Sequence, residues 1–203
     1  LNRGATKSVS AIVLAAGSSL RMAPAHKLLQ PFGTRSVLAA TLACVAASRA
    51  REIVLVVGHR CEDIARAADG GERVRVVQAA DHASGMAASL AAGLAAVHGD
   101  GMLVVLGDMP LVRTATIDRL IAAFEAADGT PVIAPVRDGR RGNPVLWHRS
   151  HRNALMGLSG DAGARGILER HPDLRLVETD DPGVLIDVDT ESSLAHARGL
   201  LEP

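Results

Sequence analysis

Two cations stand close behind a run of small residues: Gly17-Ser18-Ser19-Leu20-Arg21, then Lys27. An apolar stretch, Val9 to Ala16 with Ser10 inside it, leads into that run. A buried strand therefore ends and the chain turns through residues with little side chain. Such a turn lets successive backbone N–H groups approach phosphate oxygens and form an anion site. Arg21 adds a fork of donors and Lys27 a point charge, which together suit a triphosphate. No Gly-x4-Gly-Lys-Ser/Thr and no Gly-x-Gly-x-x-Gly occurs in the chain. Neither a P-loop nor a dinucleotide fingerprint is therefore present. The plain alternative is a strand–helix connection with surface charges.

Carboxylates supply the second half of the chemistry. Val104-Val105-Leu106-Gly107-Asp108 delivers a lone acid at the end of an apolar strand, and Pro110 holds Met109 extended. In open α/β sheets ligands bind beyond those strand ends. A hard carboxylate there could hold Mg²⁺ against phosphate oxygens, or it could simply form the turn. Further on comes Ile186-Asp187-Val188-Asp189-Thr190. Read as alternating along an extended segment, the two acids face opposite sides and one of them meets Asp108. Asp189, next to the last helix, is the choice; the alternative is a capping segment in which Asp189 or Thr190 caps that helix.

Smaller features complete the set. Gly85-Met86-Ala87-Ala88-Ser89-Leu90 opens a helix whose first N–H groups could face an anion or a base, or which simply packs its small residues. Gly142-Asn143-Pro144-Val145 and Gly160-Asp161-Ala162-Gly163-Ala164-Arg165 read as substrate-side loops. His148 and His151 are three apart without an evident third ligand, which favours a solvated helix face over zinc.

These residues need a frame to hold them. Strand-length apolar runs at Ser10–Leu14, Glu52–Val57, Val74–Gln78, Met102–Leu106 and Val132–Val136 alternate with helix-period segments. In Thr114–Ala127, Ile117, Leu120, Ile121 and Phe124 share one helical face. Ser36–Ala47 and Met86–Val97 are the other front-half helices. The strands are apolar almost throughout, as in a parallel sheet covered on both faces, and the order predicts an α/β layered fold. After Val136 comes an arginine-rich segment, Arg137 to Asn143. Helices are expected near His148–Leu155 and Asp161–Arg170, strands at Leu174–Glu178 and Val184–Asp187, and a final helix capped by Thr190. One domain over residues 9–203 is expected: a nucleotide-binding front half, 9–136, and an acceptor-side back half, 137–203, that brings the last metal ligand.

Composition narrows the function. The chain has 203 residues, 22 basic and 22 acidic, with 48% hydrophobic but only 1% aromatic residues. That excludes disordered, collagen-like and coiled-coil classes. Charge balance speaks against a polycation for nucleic acid, and the scarcity of aromatics against a base-stacking platform. Cys44 and Cys61 read as buried free thiols of a reducing compartment. Arg3 and Lys7 before the apolar run faintly suggest a signal peptide, but a strand and loop fit better. The small-residue stretch Ala83–Val97 is too short and too weakly apolar to span a bilayer. A soluble cytoplasmic protein is expected, with small-molecule substrates, no nucleic acid and no membrane.

Taken together and in this order, the motifs are more specific than any one alone. They are Leu14-Ala15-Ala16-Gly17-Ser18-Ser19-x-Arg21-Met22 with Lys27, Gly85-Met86-x-x-Ser89-Leu90, Gly107-Asp108-Met109-Pro110-Leu111, Gly142-Asn143-Pro144-Val145, Gly160-Asp161-x-Gly163-Ala164-Arg165 and Asp187-Val188-Asp189-Thr190. They closely resemble the molybdenum cofactor nucleotidyltransferases, with the cytidylyltransferase branch nearest and the guanylyltransferases beside it. The resemblance runs from Val9 to Ala197. It implies a mixed, mostly parallel sheet between helices, akin to the GT-A nucleotide-diphosphosugar transferase fold.

The same resemblance implies roles. Leu14, Ala15, Ala16 and Gly17 would read the base and cradle phosphate, with Ser18 and Ser19 beside them. Arg21 and Lys27 would bind the triphosphate and act with Asp108 in catalysis. Asp108 would hold Mg²⁺, with Asp189 opposite. Gly85 and Ser89 would line the nucleoside pocket, and Gly142, Asn143, Gly160 and Asp161 the acceptor side. The reaction would be attack by the terminal phosphate of molybdopterin on the α-phosphorus of CTP. A molybdoenzyme of the xanthine dehydrogenase type, or its chaperone, would be the partner. Two departures stand out: Ala23-Pro24-Ala25-His26 fills the approach to Lys27, and Ala87 and Ala88 replace hydroxyl residues. Ala16, where guanylyl-transferring relatives tend to have Gly, could disfavour a purine. GTP in place of CTP, a sugar phosphate or other small phosphorylated acceptor, and a non-catalytic cofactor carrier are the alternatives.

Overall fold

The computed structural model describes residues 7–68, 71–160, 164–169 and 171–201. The elements run β1 (Val9–Ala15), β2 (Pro31–Phe32), β3 (Arg35–Ser36), α1 (Val37–Ala46), β4 (Glu52–Val57), α2 (Cys61–Ala67), β5 (Val74–Gln78), α3 (Met86–Ala96), β6 (Gly101–Leu106), α4 (Thr114–Ala126), β7 (Val132–Arg137), β8 (Arg140–Arg141), β9 (Val145–His148), α5 (Arg152–Met156), α6 (Arg165–Glu169), β10 (Leu174–Glu178) and α7 (Glu191–Gly199).

One sheet in the order β10-β7-β9-β6-β1-β4-β5 organises them, with β8 hairpinned onto β7. β1 lies parallel between β4 and β6, with Val13 opposite Leu55 on one side and Val105 on the other. β9 alone reverses within that row, antiparallel to both β6 and β7. The sheet is therefore mixed and mostly parallel, as the α/β alternation predicts.

Alternation along the strands sends residues to two cores. Ala11 and Val13 of β1, with Ile53 and Leu55 of β4, pack against α1, α4 and α7 through Leu38, Leu42, Leu120, Phe124 and Leu194. Ile12, Val54 and Val56 face the other way, onto Leu90 and Leu94 of α3, with Trp147, Leu155 and Leu168 beyond. The alanine-rich α3 sits unusually close to the sheet. A Cβ on Gly93 would lie 2.4 Å from the Ile12 methyl, so only a residue without a side chain lets the helix approach this far.

One expected element is absent. Val184–Asp187 is not a strand: Pro182–Leu185 forms a short 3₁₀ turn. The Asp181 side chain caps that turn by accepting from the Gly183 N–H, and Pro182 supplies the fixed φ of a first helical position. Leu174–Glu178 is a strand as expected, and Thr190 caps α7 in a capping box with Ser193. The helix expected near His148–Leu155 is replaced by the end of β9 at His148, a 3₁₀ turn at Arg149–His151 and α5 from Arg152 on. Cys44 and Cys61 are free and half-buried rather than fully buried. No helix among the described residues is long and apolar enough to cross a membrane.

Candidate active site

Parallel pairing brings the C-terminal ends of β1 and β6 side by side. Gly107 N–H donates to the Leu14 carbonyl at 2.9 Å. A Cβ on Gly107 would lie 2.8 Å from that same oxygen, so the glycine is required for the approach. Beyond β1 the loop folds back on itself. Ser19 takes a left-handed φ of 55°, and its hydroxyl accepts from the Lys27 N–H at 2.8 Å. Buried His26 donates from Nε2 to the Gly17 carbonyl at 3.1 Å. These bonds carry Lys27 to the mouth of the β1–β6 crevice.

The third wall comes from the far end of the chain. Val188 is fully buried in the core below α1 and α4, and its N–H donates to the Asp108 carbonyl at 2.8 Å. Asp108, Asp187 and Asp189 then present oxygens within 4.8 Å of one another. Lys27 Nζ forms ion pairs with Asp108 and, at 2.5 Å, with Asp189. Arg21 Nη1 reaches the other Asp189 oxygen at 2.5 Å. Lys27 and Asp108 side chains are only 18% and 14% exposed, whereas Arg21 is 72% exposed.

Electrostatics follow from that crowding. Burial alone would lower the Lys27 pKa, but the Asp108 and Asp189 carboxylates outweigh it and hold the ammonium above its ordinary value. Burial would raise Asp189, but Lys27 and Arg21 outweigh it and keep that carboxyl low. Asp187 pairs with no cation among the described residues, and burial, then the negative charges of Asp108 and Asp189, push its pKa up. Three acids and two cations thus occupy one small volume. Asp108 Oδ1 is buried without a hydrogen-bond partner. A hard divalent cation binds through such oxygens, so the donor set fits one.

Two cavities flank this cluster. A cleft of about 250 Å³ is lined by Gly17, Ser18, Ser19, Leu20, Arg21, Lys27 and Asp189. A larger one of about 520 Å³ has an apolar floor that includes Leu14, Leu90 and Trp147, and a rim of Arg140, Arg141, Gly142, Asn143 and Arg165. Among the expected residues, the glycine–serine loop, both cations and Asp189 therefore meet in one cleft, with Asp108 bonded into it through Lys27. Gly142 and Asn143 meet in the other. Ala15 and Ala16 are buried, and the Ala16 methyl packs into the core beside α3. Gly85 opens α3 at a φ of 107° and Ser89 is buried one turn in. Gly160 accepts the Ala87 N–H at 3.1 Å, so that N–H of the helix start faces a carbonyl and not a ligand. Asp161 lies outside the described residues.

The expectation that only one of Asp187 and Asp189 meets Asp108 is wrong. Residues two apart in an extended segment lie on the same face. It is Val188, between them, that turns away into the core, so both acids face Asp108. The spacing alone contains that signal. Motif reading named His26 only as part of the departure before Lys27, and it gave Arg140 and Arg141 no site role, although Arg165 beside them on the rim does belong to a loop read as substrate-side. A buried histidine leaves no pattern, and Arg140 and Arg141 read as a polar connection until β8 hairpins them back over β7.

Comparison with known proteins finds relatives along most of the chain. Residues 11–175 match the MobA-like NTP transferase domain. A curated relative, nicotine blue oxidoreductase of Paenarthrobacter nicotinovorans, is 32% identical over 195 residues, covering 90% of this chain and 92% of its own length. A nucleotidyl transferase from Methanothermobacter superposes with a TM-score of 0.83 at 30% identity, covering 95% of this chain and 97% of that one. A protein of Mycobacterium tuberculosis H37Rv, crystallised in complex with manganese, superposes with a TM-score of 0.78 at 28% identity, covering 96% and 100%.

Proposed function

The chain belongs to the MobA-like NTP transferase family, and from that premise we propose that it joins CTP to the terminal phosphate of molybdopterin, releasing pyrophosphate and leaving a cytosine dinucleotide. The observation that carries this reading is the meeting of Asp108, Asp187 and Asp189 with Lys27 and Arg21 at the mouth of the glycine–serine loop. Gly17, Ser18 and Ser19 offer their backbone to the triphosphate, and Arg21 and Lys27 leave the carboxylates to take its oxygens. Asp108, Asp187 and Asp189 would hold a divalent ion such as Mg²⁺, which would supply neutralisation of phosphate charge during the transfer. The manganese complex of the M. tuberculosis neighbour supports a divalent ion of this kind. The acceptor phosphate is already an anion, so the protein positions it and screens charge and needs no covalent intermediate.

The arginine-rimmed cavity suits the acceptor: an apolar floor for a flat ring system and guanidinium groups for its phosphate. Gly142 and Asn143 sit on its rim. The choice of CTP rests on the motif resemblance. With its methyl in the core, Ala16 acts on base choice only through the position of the loop backbone. The test is pyrophosphate release with each of the four NTPs and Mg²⁺, molybdopterin as acceptor, and a sugar phosphate in parallel. CTP with molybdopterin is expected to be fastest. A GTP preference would move the chain to the guanylyl branch, and turnover only with the sugar phosphate would replace the acceptor.

The name of the P. nicotinovorans relative favours one other reading, a redox activity on this fold. Oxidation of a reduced nicotinamide by a dye acceptor, without pyrophosphate release from any NTP, would select it.

A further inference from the structure

Asp181 is fully buried, yet it lies outside the carboxylate cluster and touches neither cavity. Its Oδ2 accepts from the Arg113 N–H at 2.8 Å and the Thr116 hydroxyl at 2.7 Å. Its Oδ1 accepts from the Gly183 N–H at 2.9 Å. One carboxylate therefore holds the start of α4 and the start of the 3₁₀ turn together. The Arg113 guanidinium lies 4.0 Å from Oδ1, so the same residue meets Asp181 with both its backbone and its side chain.

The two segments it joins are those that carry the acids. Asp108 leads through Leu111 and Val112 into Arg113, and the 3₁₀ turn leads through Ile186 into Asp187 and Asp189. Their backbones are in close contact: a Cβ on Gly183 would lie 2.2 Å from the Leu111 carbonyl. Near the acids the contact is completed by the Val188 N–H on the Asp108 carbonyl. The opposite side of the turn abuts the second cavity, where Asn143 N–H donates to the Val184 carbonyl at 2.9 Å. A shift of this turn would therefore move Asp187 and Asp189 relative to Asp108.

We propose that Asp181 is a positioning residue, a buried brace that sets the separation between Asp108 and the Asp187–Asp189 pair and so tunes divalent-cation affinity. This rests on reading the three acids as the cation site. Asp181→Asn keeps the volume but replaces one acceptor oxygen by a donor NH₂, so the Arg113 and Gly183 N–H groups, which bond different oxygens, cannot both keep an acceptor. Thr116→Val keeps the shape and removes the bond to Asp181, together with the long 3.5 Å contact to the Thr179 hydroxyl. Leu120→Ala, in the core face of the same helix, is the control for plain destabilisation.

Mn²⁺ binding to each full-length variant, read from the electron-paramagnetic signal of the free ion, tests the proposal without any turnover. Asp181→Asn is expected to weaken Mn²⁺ about tenfold, the low end of what lost support of metal ligands costs. Thr116→Val should shift it the same way by less. Leu120→Ala should lower the melting temperature and leave Mn²⁺ affinity alone. Wild-type Mn²⁺ affinity in Asp181→Asn, or an equal shift in Leu120→Ala, would overturn the brace. Should Asp181→Asn not fold, unchanged affinity in Thr116→Val would overturn it. A wild-type protein that binds no Mn²⁺ would instead sink the cation reading, and the brace with it.

Discussion

At the scale of single residues, Arg21 and Lys27 are not equivalent cations. Arg21 is mostly exposed, and exposed ion pairs contribute about 0–1 kcal/mol to stability. Lys27 is mostly buried between two acids, and removing one partner of a buried pair leaves uncompensated charge. Arg21→Ala should therefore leave the melting temperature nearly unchanged while weakening NTP binding. Lys27→Met should weaken NTP binding and also lower the melting temperature. Paired NTP titrations and thermal melts check both; equal melting losses would contradict the distinction. His26 gives the pH prediction. Burial pushes its pKa below the ordinary value; the Gly17 carbonyl opposes that, and the charges of Arg60, His59 and Lys27 add to it. The folded state thus resists the proton that the unfolded chain accepts near pH 6.5. Its contribution is fully present above that pH and is lost as pH falls below it toward the depressed folded value. Melts of wild type and His26→Gln between pH 8 and 5 should diverge on acidification, wild type losing more.

At the scale of elements, the framework was legible because its signals are local. The runs Glu52–Val57, Val74–Gln78 and Leu174–Glu178 are strands with the expected bounds, and the periodic face of Ile117, Leu120, Ile121 and Phe124 is the core face of α4. What was not legible depends on contacts between distant segments. The short pair β2–β3 and the two-residue β8 carry too few residues to show a period. The 3₁₀ turn at Pro182–Leu185 reads as apolar strand until Asp181 is seen capping it. Among the site residues, Arg21, Lys27, Asp108 and Asp189 were readable from motifs, whereas Asp187 was lost to a misassigned face. The packing of α3 yields a further prediction. Gly93→Val should place branched carbons against Ile12, an overpacking that costs about 1–3 kcal/mol. Because Gly85 and Met86 begin the same helix, the variant should also bind NTP less well. A lower melting temperature with unchanged NTP affinity would show that the start of α3 does not take part.

At the scale of the whole molecule, balanced charge conceals a local concentration. Net charge is zero, yet three acids and two cations drawn from the loops after β1 and β6 and from the segment before α7 meet at one end of the sheet. No stretch of the chain holds more than part of that set; the parallel order β6-β1-β4 and the docking of Val188 bring it together. The nucleotidyl transfer proposed for this cluster is followed by incubating the protein with CTP labelled at the α-phosphate, Mg²⁺ and molybdopterin, and tracing the label. Wild type should move the label into a dinucleotide with one pyrophosphate released per transfer. Asp108→Asn should remain folded and lose roughly 10²-fold or more, as expected on removing a charge that stabilises the transition state. Label that stays in the nucleotide with every NTP supplied, or an Asp108→Asn variant that turns over at the wild-type rate, would contradict the account.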